Sequence, residues 1–113
     1  MNEFIFVYTT LPKRRKARQL AKDLLRERLV ACANIFKIDS LYRWQGELEE
    51  AREYGVLLKT RIELYARVEK RIRELHPYEL PAVVSFRIDN GSKAFLDWIA
   101  SETSEHNGRK ELE

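Results

Sequence analysis

The sequence predicts an α+β domain in which two helices cover one face of a four-stranded antiparallel sheet. Three observations predict it: four β-favouring runs, two amphipathic segments at helical spacing between them, and the order strand, helix, strand, strand, helix, strand. A short terminal helix closes the chain. With 113 residues, the chain is long enough for one hydrophobic core and too short for two. Its 44% apolar content is that of a folded domain and excludes a disordered chain.

Phe4-Ile5-Phe6-Val7-Tyr8 is a continuous apolar run, as expected of a central strand buried on both faces. Thr10-Leu11-Pro12 stops it, and Pro12 suits the first turn of a helix. From Lys13 to Arg28, the residues Ala17, Leu20, Ala21, Leu24 and Leu25 form one stripe at helical spacing. A second strand is expected from near Leu29 past Ile38, continuing through Leu41-Tyr42-Arg43-Trp44 to a turn at Gln45-Gly46. A third returns from Leu48 to Lys59, with Val56-Leu57-Leu58 its most buried part. Thr60-Arg61-Ile62-Glu63 has the capping-box pattern of a helix start. Leu64, Val68, Ile72 and Leu75 mark that helix's buried stripe, and His76-Pro77 ends it. Pro81 opens a fourth strand, in which Val84, Phe86 and Ile88 alternate with Val83, Ser85 and Arg87. Asp89-Asn90-Gly91-Ser92 reads as a turn before a helix carrying Phe95, Leu96, Trp98 and Ile99.

Right-handed crossovers leave one common arrangement for this order, the ferredoxin-like split βαβ sandwich, here βαββαβ plus a C-terminal helix. Residues 1–103 form the single domain and 104–113 a polar tail expected to fray. The second and third strands are about twice the usual five or six residues. Two ordinary helices cannot cover such a ribbon, and its far end carries Leu41, Tyr42, Trp44 and Leu48. Natural proteins protect apolar edges of this kind. Copies of the chain are therefore expected to pair over it, in preference to a free hairpin arm.

No apolar run approaches the roughly 20 residues that cross a bilayer, so no membrane partner is expected. Met1-Asn2-Glu3 leads straight into a strand, without the pattern of a signal peptide. The single cysteine, Cys32, allows no internal disulfide, and a reducing cytoplasm is the expected home. Net charge is +3 at 35% charged residues, with acidic and basic residues interleaved, so a nucleic-acid partner is not expected. The same charge content fits a protein of high working temperature. Lys13-Arg14-Arg15-Lys16 and Arg18 place cations in a first helical turn, against the helix dipole. That cost points to an anionic partner, to the acidic run Glu47, Glu49, Glu50 and Glu53 of another copy, or simply to a solvated face.

Several motifs together resemble one family. Thr9-Thr10-Leu11-Pro12, Arg28-Leu29-Val30-Ala31-Cys32-Ala33-Asn34, Ser40-Leu41-Tyr42-Arg43-Trp44-Gln45-Gly46-Glu47, Leu58-Lys59-Thr60, His76-Pro77-Tyr78-Glu79-Leu80-Pro81 and Phe95-Leu96-Asp97-Trp98 stand in the order and spacing of the CutA divalent-cation tolerance family. The match covers residues 4 to 100, with Val30 where many members have alanine and Gln45 where lysine is common. The resemblance implies a ferredoxin-like homotrimer, related in architecture to the PII signalling proteins. It also implies a link to tolerance of copper and other divalent cations.

Candidate chemistry is sparse. Thiolate and imidazole suit copper, and the chain offers Cys32, His76 and the tail residue His106 without paired spacing. One chain cannot close a soft-ligand site from these, whereas copies could share Cys32 and His76. Of the metal set proposed within the family, only His76 matches. Thr9 stands in place of a cysteine and Leu75 in place of the first histidine of a pair. The competing structural roles are a buried, inert Cys32 and a His76 that ends its helix on a neighbouring carbonyl. Tyr42, Trp44, Glu53, Lys59 and Tyr78 are expected at a ligand cleft or subunit interface, with Lys59 beside a helix start as an anion pocket. No tightly bound cofactor is expected. No glycine-rich phosphate loop, G-x-S-x-G or acid-base pair points to an enzyme. Three functions follow: a trimeric copper-tolerance protein, a PII-like module binding a small anion between subunits, or a structural trimeric adaptor.

Overall fold

The computed structural model describes residues 3–104, so expectations for the tail and His106 lie outside the described residues. The elements are β1 (Phe4–Leu11), α1 (Arg14–Arg26), β2 (Cys32–Trp44), β3 (Glu47–Arg61), a 3₁₀ turn (Ile62–Leu64), α2 (Tyr65–Leu75), β4 (Val84–Arg87) and α3 (Lys93–Glu102). The sheet is antiparallel throughout, in the order β2-β3-β1-β4. That is the expected α+β split βαβ sandwich.

The long hairpin between β2 and β3 closes in a tight turn. Gln45 and Gly46 both take positive φ, 52° and 82°, which two-residue hairpins need to match the strand twist. Trp44 then pairs with Glu47, and the ladder runs unbroken to Cys32 opposite Lys59.

Register decides which side chains share a face, because successive residues of a strand alternate. Ile5, Val7, Val56 and Leu58 face the helices and form the core with Leu20 and Leu24 of α1 and Val68 and Ile72 of α2. Phe6, Tyr8, Phe36, Leu57, Val84 and Phe86 lie on the other face. There α3 lies across one end only. Arg61 donates to the Thr103 hydroxyl and carbonyl, both at 2.9 Å, and Ile99 is buried. Phe36, Val84, Phe86 and Trp98 remain exposed beyond it.

Several boundaries differ from expectation, each for a physical reason. β1 continues to Leu11, because pairing with β3 extends as far as Tyr54. α1 stops at Arg26, two residues early, since Arg28 adopts a φ of 59° and turns the chain back. Leu29 and Val30 are core residues but precede the strand. Leu25 sits at the edge of the α1 stripe and is exposed. Of Val56-Leu57-Leu58, the outer two are fully buried while Leu57 points to the open face.

The capping box does not form. β3 carries on through Thr60 and Arg61, and the buried Thr60 hydroxyl donates to the Leu29 carbonyl at 2.6 Å. Helix α2 therefore starts later, after a 3₁₀ turn without a side-chain cap. It ends at Leu75, where His76 turns extended ahead of Pro77, as expected. β4 begins at Val84 rather than Pro81 and is exposed along its length.

Candidate functional site at the root of the ribbon

Two places on the open face gather the residues singled out in the sequence. The first lies where the ribbon leaves the body of the sheet. Glu53 sits opposite Ile38 in β3, next to the last strand position covered by the helices. Its side chain is only 6% exposed. The segment after α2 crosses beside it, and the Tyr78 hydroxyl donates to Glu53 Oε2 at 2.7 Å. Tyr42 and Trp44 project from β2 on the same face as Glu53. Together with Tyr78 and the rim residue Glu79 they line a groove of about 740 Å³. No lysine, arginine or histidine is among its lining residues. Asp39 also borders the groove, but its carboxylate pairs with Arg52 at 3.8 Å. Burial, and then the Glu53 carboxylate, hold the Tyr78 phenol above the usual tyrosine range, so Tyr78 remains a proton donor to Glu53.

His76 anchors this segment. Its Nε2–H donates to the Thr10 carbonyl at 2.6 Å, and its Nδ1 accepts the Tyr78 backbone N–H at 3.0 Å. The two bonds select one neutral tautomer. Burial lowers the His76 pKa, against the opposing pull of the Thr10 carbonyl and the Glu53 carboxylate. A protonated ring would turn Nδ1 from acceptor into donor, facing another donor.

The second place is the Lys59 end of β3. The Lys59 ammonium donates to Asn34 Oδ1 and, at 3.5 Å, to Cys32 Sγ. It also lies about 6 Å from the ring centroids of both Phe6 and Phe95, at 5.9 and 6.0 Å, within cation–π range. Lys59 is thus six residues from Glu53 along β3, roughly 20 Å at strand spacing. The structure brings Tyr42, Trp44, Glu53 and Tyr78 together and places Lys59 elsewhere. The helix start expected beside Lys59 is also missing, because β3 continues and the Ile62 N–H bonds the Glu3 carbonyl.

Cys32 and His76 are likewise kept apart within one chain. Cys32 lies opposite Lys59, whereas His76 bonds Thr10, whose partner in β3 is Gly55. Cys32 is a free, half-buried thiol on the open face, in place of the inert core residue that its alanine neighbours suggest. Thr9 is fully buried on the helix side, with a hydroxyl that has no partner. Among the described residues, no three His, Cys, Asp or Glu side chains are placed to hold a metal ion. The described residues of a single chain do not form a closed metal site. In α1 the first turn carries no acidic residue, and Lys13, Arg14, Arg15, Lys16 and Arg18 are exposed. None of these five has an ion pair among the described residues.

Sequence reasoning missed the Glu53–Tyr78 bond and the absence of cations around it. The signal was present in His76-Pro77-Tyr78, because a proline after the helix sends the next residues extended across the sheet. No helix of the described residues is long and apolar enough to cross a membrane.

Comparison with known proteins agrees with this architecture. Residues 5–102 match the family described as CutA1 divalent ion tolerance protein. The divalent-cation tolerance protein CutA of Pyrococcus horikoshii is 43% identical over 99 residues, 88% of this chain and 97% of that protein. The CutA protein of Thermus thermophilus is 39% identical over 104 residues, 91% of this chain and 99% of that protein. Among solved structures, a protein of Archaeoglobus fulgidus described as periplasmic divalent cation tolerance protein CutA superposes with a TM-score of 0.88 at 39% identity. That match covers 89% of this chain and 99% of its counterpart. The sheet order, the long hairpin and the motifs along it therefore have one origin: this chain belongs to the CutA divalent-cation tolerance family.

Proposed function

We propose that the chain serves divalent-cation tolerance as a homotrimer, a non-catalytic assembly that takes copper or another divalent cation at sites shared between copies. The observation that carries this reading is the uncovered sheet face. Phe36, Val84, Phe86 and Trp98 on the body and Tyr42 and Trp44 along the ribbon are exposed there, and Leu41 and Leu48 are exposed on the ribbon's opposite face. Burying each such side chain is worth about 1.5–3 kcal/mol, which favours their meeting other copies rather than water. Cys32 lies on that face and offers a thiol to a shared soft-ligand site. His76 joins such a site only after giving up a bond to Thr10 or Tyr78. A lone free thiol suits a reducing cytoplasm, although the A. fulgidus relative is described as periplasmic.

Light scattering and a calorimetric copper titration test both parts. The wild type should scatter as three chains and bind copper. Cys32→Ser should lower the copper stoichiometry, and His76→Ala should weaken binding if the imidazole swings out. A copper isotherm unchanged in both variants would remove the metal site while leaving the assembly standing.

A further inference from the structure

Charge on this molecule is close to balance only on average. Residues 13–26 hold seven of its 21 basic residues and one of its 18 acidic ones, so this segment carries +6 and the remainder −3. Elsewhere many cations have acidic partners, as Arg71 has Glu27, Arg73 has Glu69 and Lys93 has Asp97. In α1 only Arg26 has one among the described residues, Asp23 at 3.7 Å. Helical spacing sorts these cations into a row. Arg14, Arg18, Lys22 and Arg26 recur every fourth residue, a rise of about 6 Å per step and about 18 Å in all. With Arg15 and Asp23 they line one surface, and all five cations are exposed. The buried stripe of α1, Ala17, Leu20, Ala21 and Leu24, is turned to the core, so the row faces outward on the helix side of the sheet. No side chain caps the start of α1 and its first turn holds no acidic residue, so free N–H groups add to the positive field there. Like charges four residues apart repel, and cations oppose the dipole at this end, so the row costs the helix stability.

We infer that the outer face of α1 binds the phosphate backbone of a nucleic-acid duplex, without preference for its sequence. Three observations select this partner over other polyanions. Four of the five cations are arginines, whose planar forks take phosphate oxygens in pairs. A duplex strand presents a phosphate about every 3.4 Å of its axis, so a straight row of about 18 Å meets several at once. An interfacial helix enters a membrane surface by its apolar face, and that of α1 is buried in the core. Protein interfaces centre on aromatic and apolar anchors, whereas α1 has no aromatic residue and exposes Leu25 as its one large apolar side chain. Averaged over the whole chain, the charge balance hides this face, which is why composition alone gives no nucleic-acid signal. The inference does not rest on the homotrimer reading, because the row lies on the side of the sheet away from the open face. A trimer would display three such rows.

Fluorescence anisotropy of a labelled duplex of about 20 base pairs, titrated with the full chain in its solution assembly, tests it. Binding should lie in the micromolar range at about 50 mM salt and weaken about a hundredfold by about 200 mM, the slope for four neutralised phosphates. A second duplex of unrelated sequence should bind equally. The combined variant Arg14→Gln, Arg18→Gln, Lys22→Gln and Arg26→Gln should bind at least tenfold more weakly at the lower salt and lose most of the salt dependence. These side chains are exposed and glutamine is a good helix former, so the variant should fold, which circular dichroism checks. If it does not, Arg18→Gln alone reads the same claim as a salt slope reduced by about one. Arg14→Lys, Arg18→Lys and Arg26→Lys together keep every charge and should keep the slope. Lys93→Gln removes a cation from α3, across the sheet, and should change neither affinity nor slope. The proposal is overturned if the wild type leaves the anisotropy unchanged at the lower salt, or if the glutamine variant binds as the wild type does. It is equally overturned if Lys93→Gln weakens binding as much, since net charge alone would then be the cause. Tighter binding to vesicles of equal parts phosphatidylcholine and phosphatidylserine than to the duplex, at equal phosphate, would assign the face to a membrane and also overturn it.

Discussion

The two halves of β3 differ sharply. From Glu53 to Thr60 five of eight residues are buried, and Val56 and Leu58 have no exposed surface. From Glu47 to Arg52 the same strand, with the same ladder to β2, buries nothing fully, and Leu48 is 72% exposed. Backbone pairing is continuous across both halves, so hydrogen bonds do not make the difference. The helices do: α1 and α2 pack over the body and stop short of the ribbon. One half of the strand is packed by its own chain, and the other is left open. Substitutions in the two halves should therefore behave differently.

The largest effect is expected in the body. Leu58→Ala removes a fully buried side chain from the core and should cost about 2–5 kcal/mol in thermal or denaturant unfolding at fixed protein concentration. Next comes Gly55, at the junction of the halves. A Cβ built there would lie 2.7 Å from the Phe36 ring, so Gly55→Ala must push that ring off the sheet. Overpacking of this kind costs about 1–3 kcal/mol, read in the same unfolding experiment. Thr9→Val should act in the opposite direction. It replaces a buried hydroxyl that lacks a partner by a methyl of similar shape, and should raise stability by about 1 kcal/mol.

A pH dependence follows from His76. Its folded pKa lies below the ordinary 6.5, so the folded protein prefers the neutral ring. The resulting stability is complete above about pH 6.5 and is lost as the pH falls from there toward the lowered value. His76→Gln should flatten that part of a melting-temperature profile, and an unaltered slope would contradict the assignment. The smallest effect on the chain's own fold is expected at the ribbon. Leu48→Ala should shift the intrinsic fold by less than about 0.5 kcal/mol, as exposed sites do, while weakening association measured by dilution.

Most of the fold was legible in the sequence. Strands and helices came from periodicity, and the order of elements restricted the topology. The apolar residues read at the tip of the ribbon, Leu41, Tyr42, Trp44 and Leu48, are indeed exposed. The errors fell where tertiary contacts override local pattern. Thr60 to Glu63 has the letters of a capping box, but the Leu29 carbonyl claims the Thr60 hydroxyl and β1 keeps β3 extended to Arg61. Lys59 was grouped with Glu53 because both lie in β3 close to recognisable motifs. Strand geometry separates them by six residues and gives Lys59 its own partners, Asn34 and Cys32. Tyr42, Trp44, Glu53 and Tyr78 line one groove. What brings Tyr78 to Glu53 is a long-range arrangement, fixed by His76 on the Thr10 carbonyl, and no local pattern encodes it.

The claim on which the rest depends is that the open sheet face is covered by copies of this chain. Static light scattering across a dilution series measures it directly. A mass three times the 13.5 kDa chain, holding into the low-concentration range and falling in Trp44→Glu, is the expected result. A well-folded particle of one chain's mass, with the Trp44 indole freely quenched by a solute in water, would contradict it.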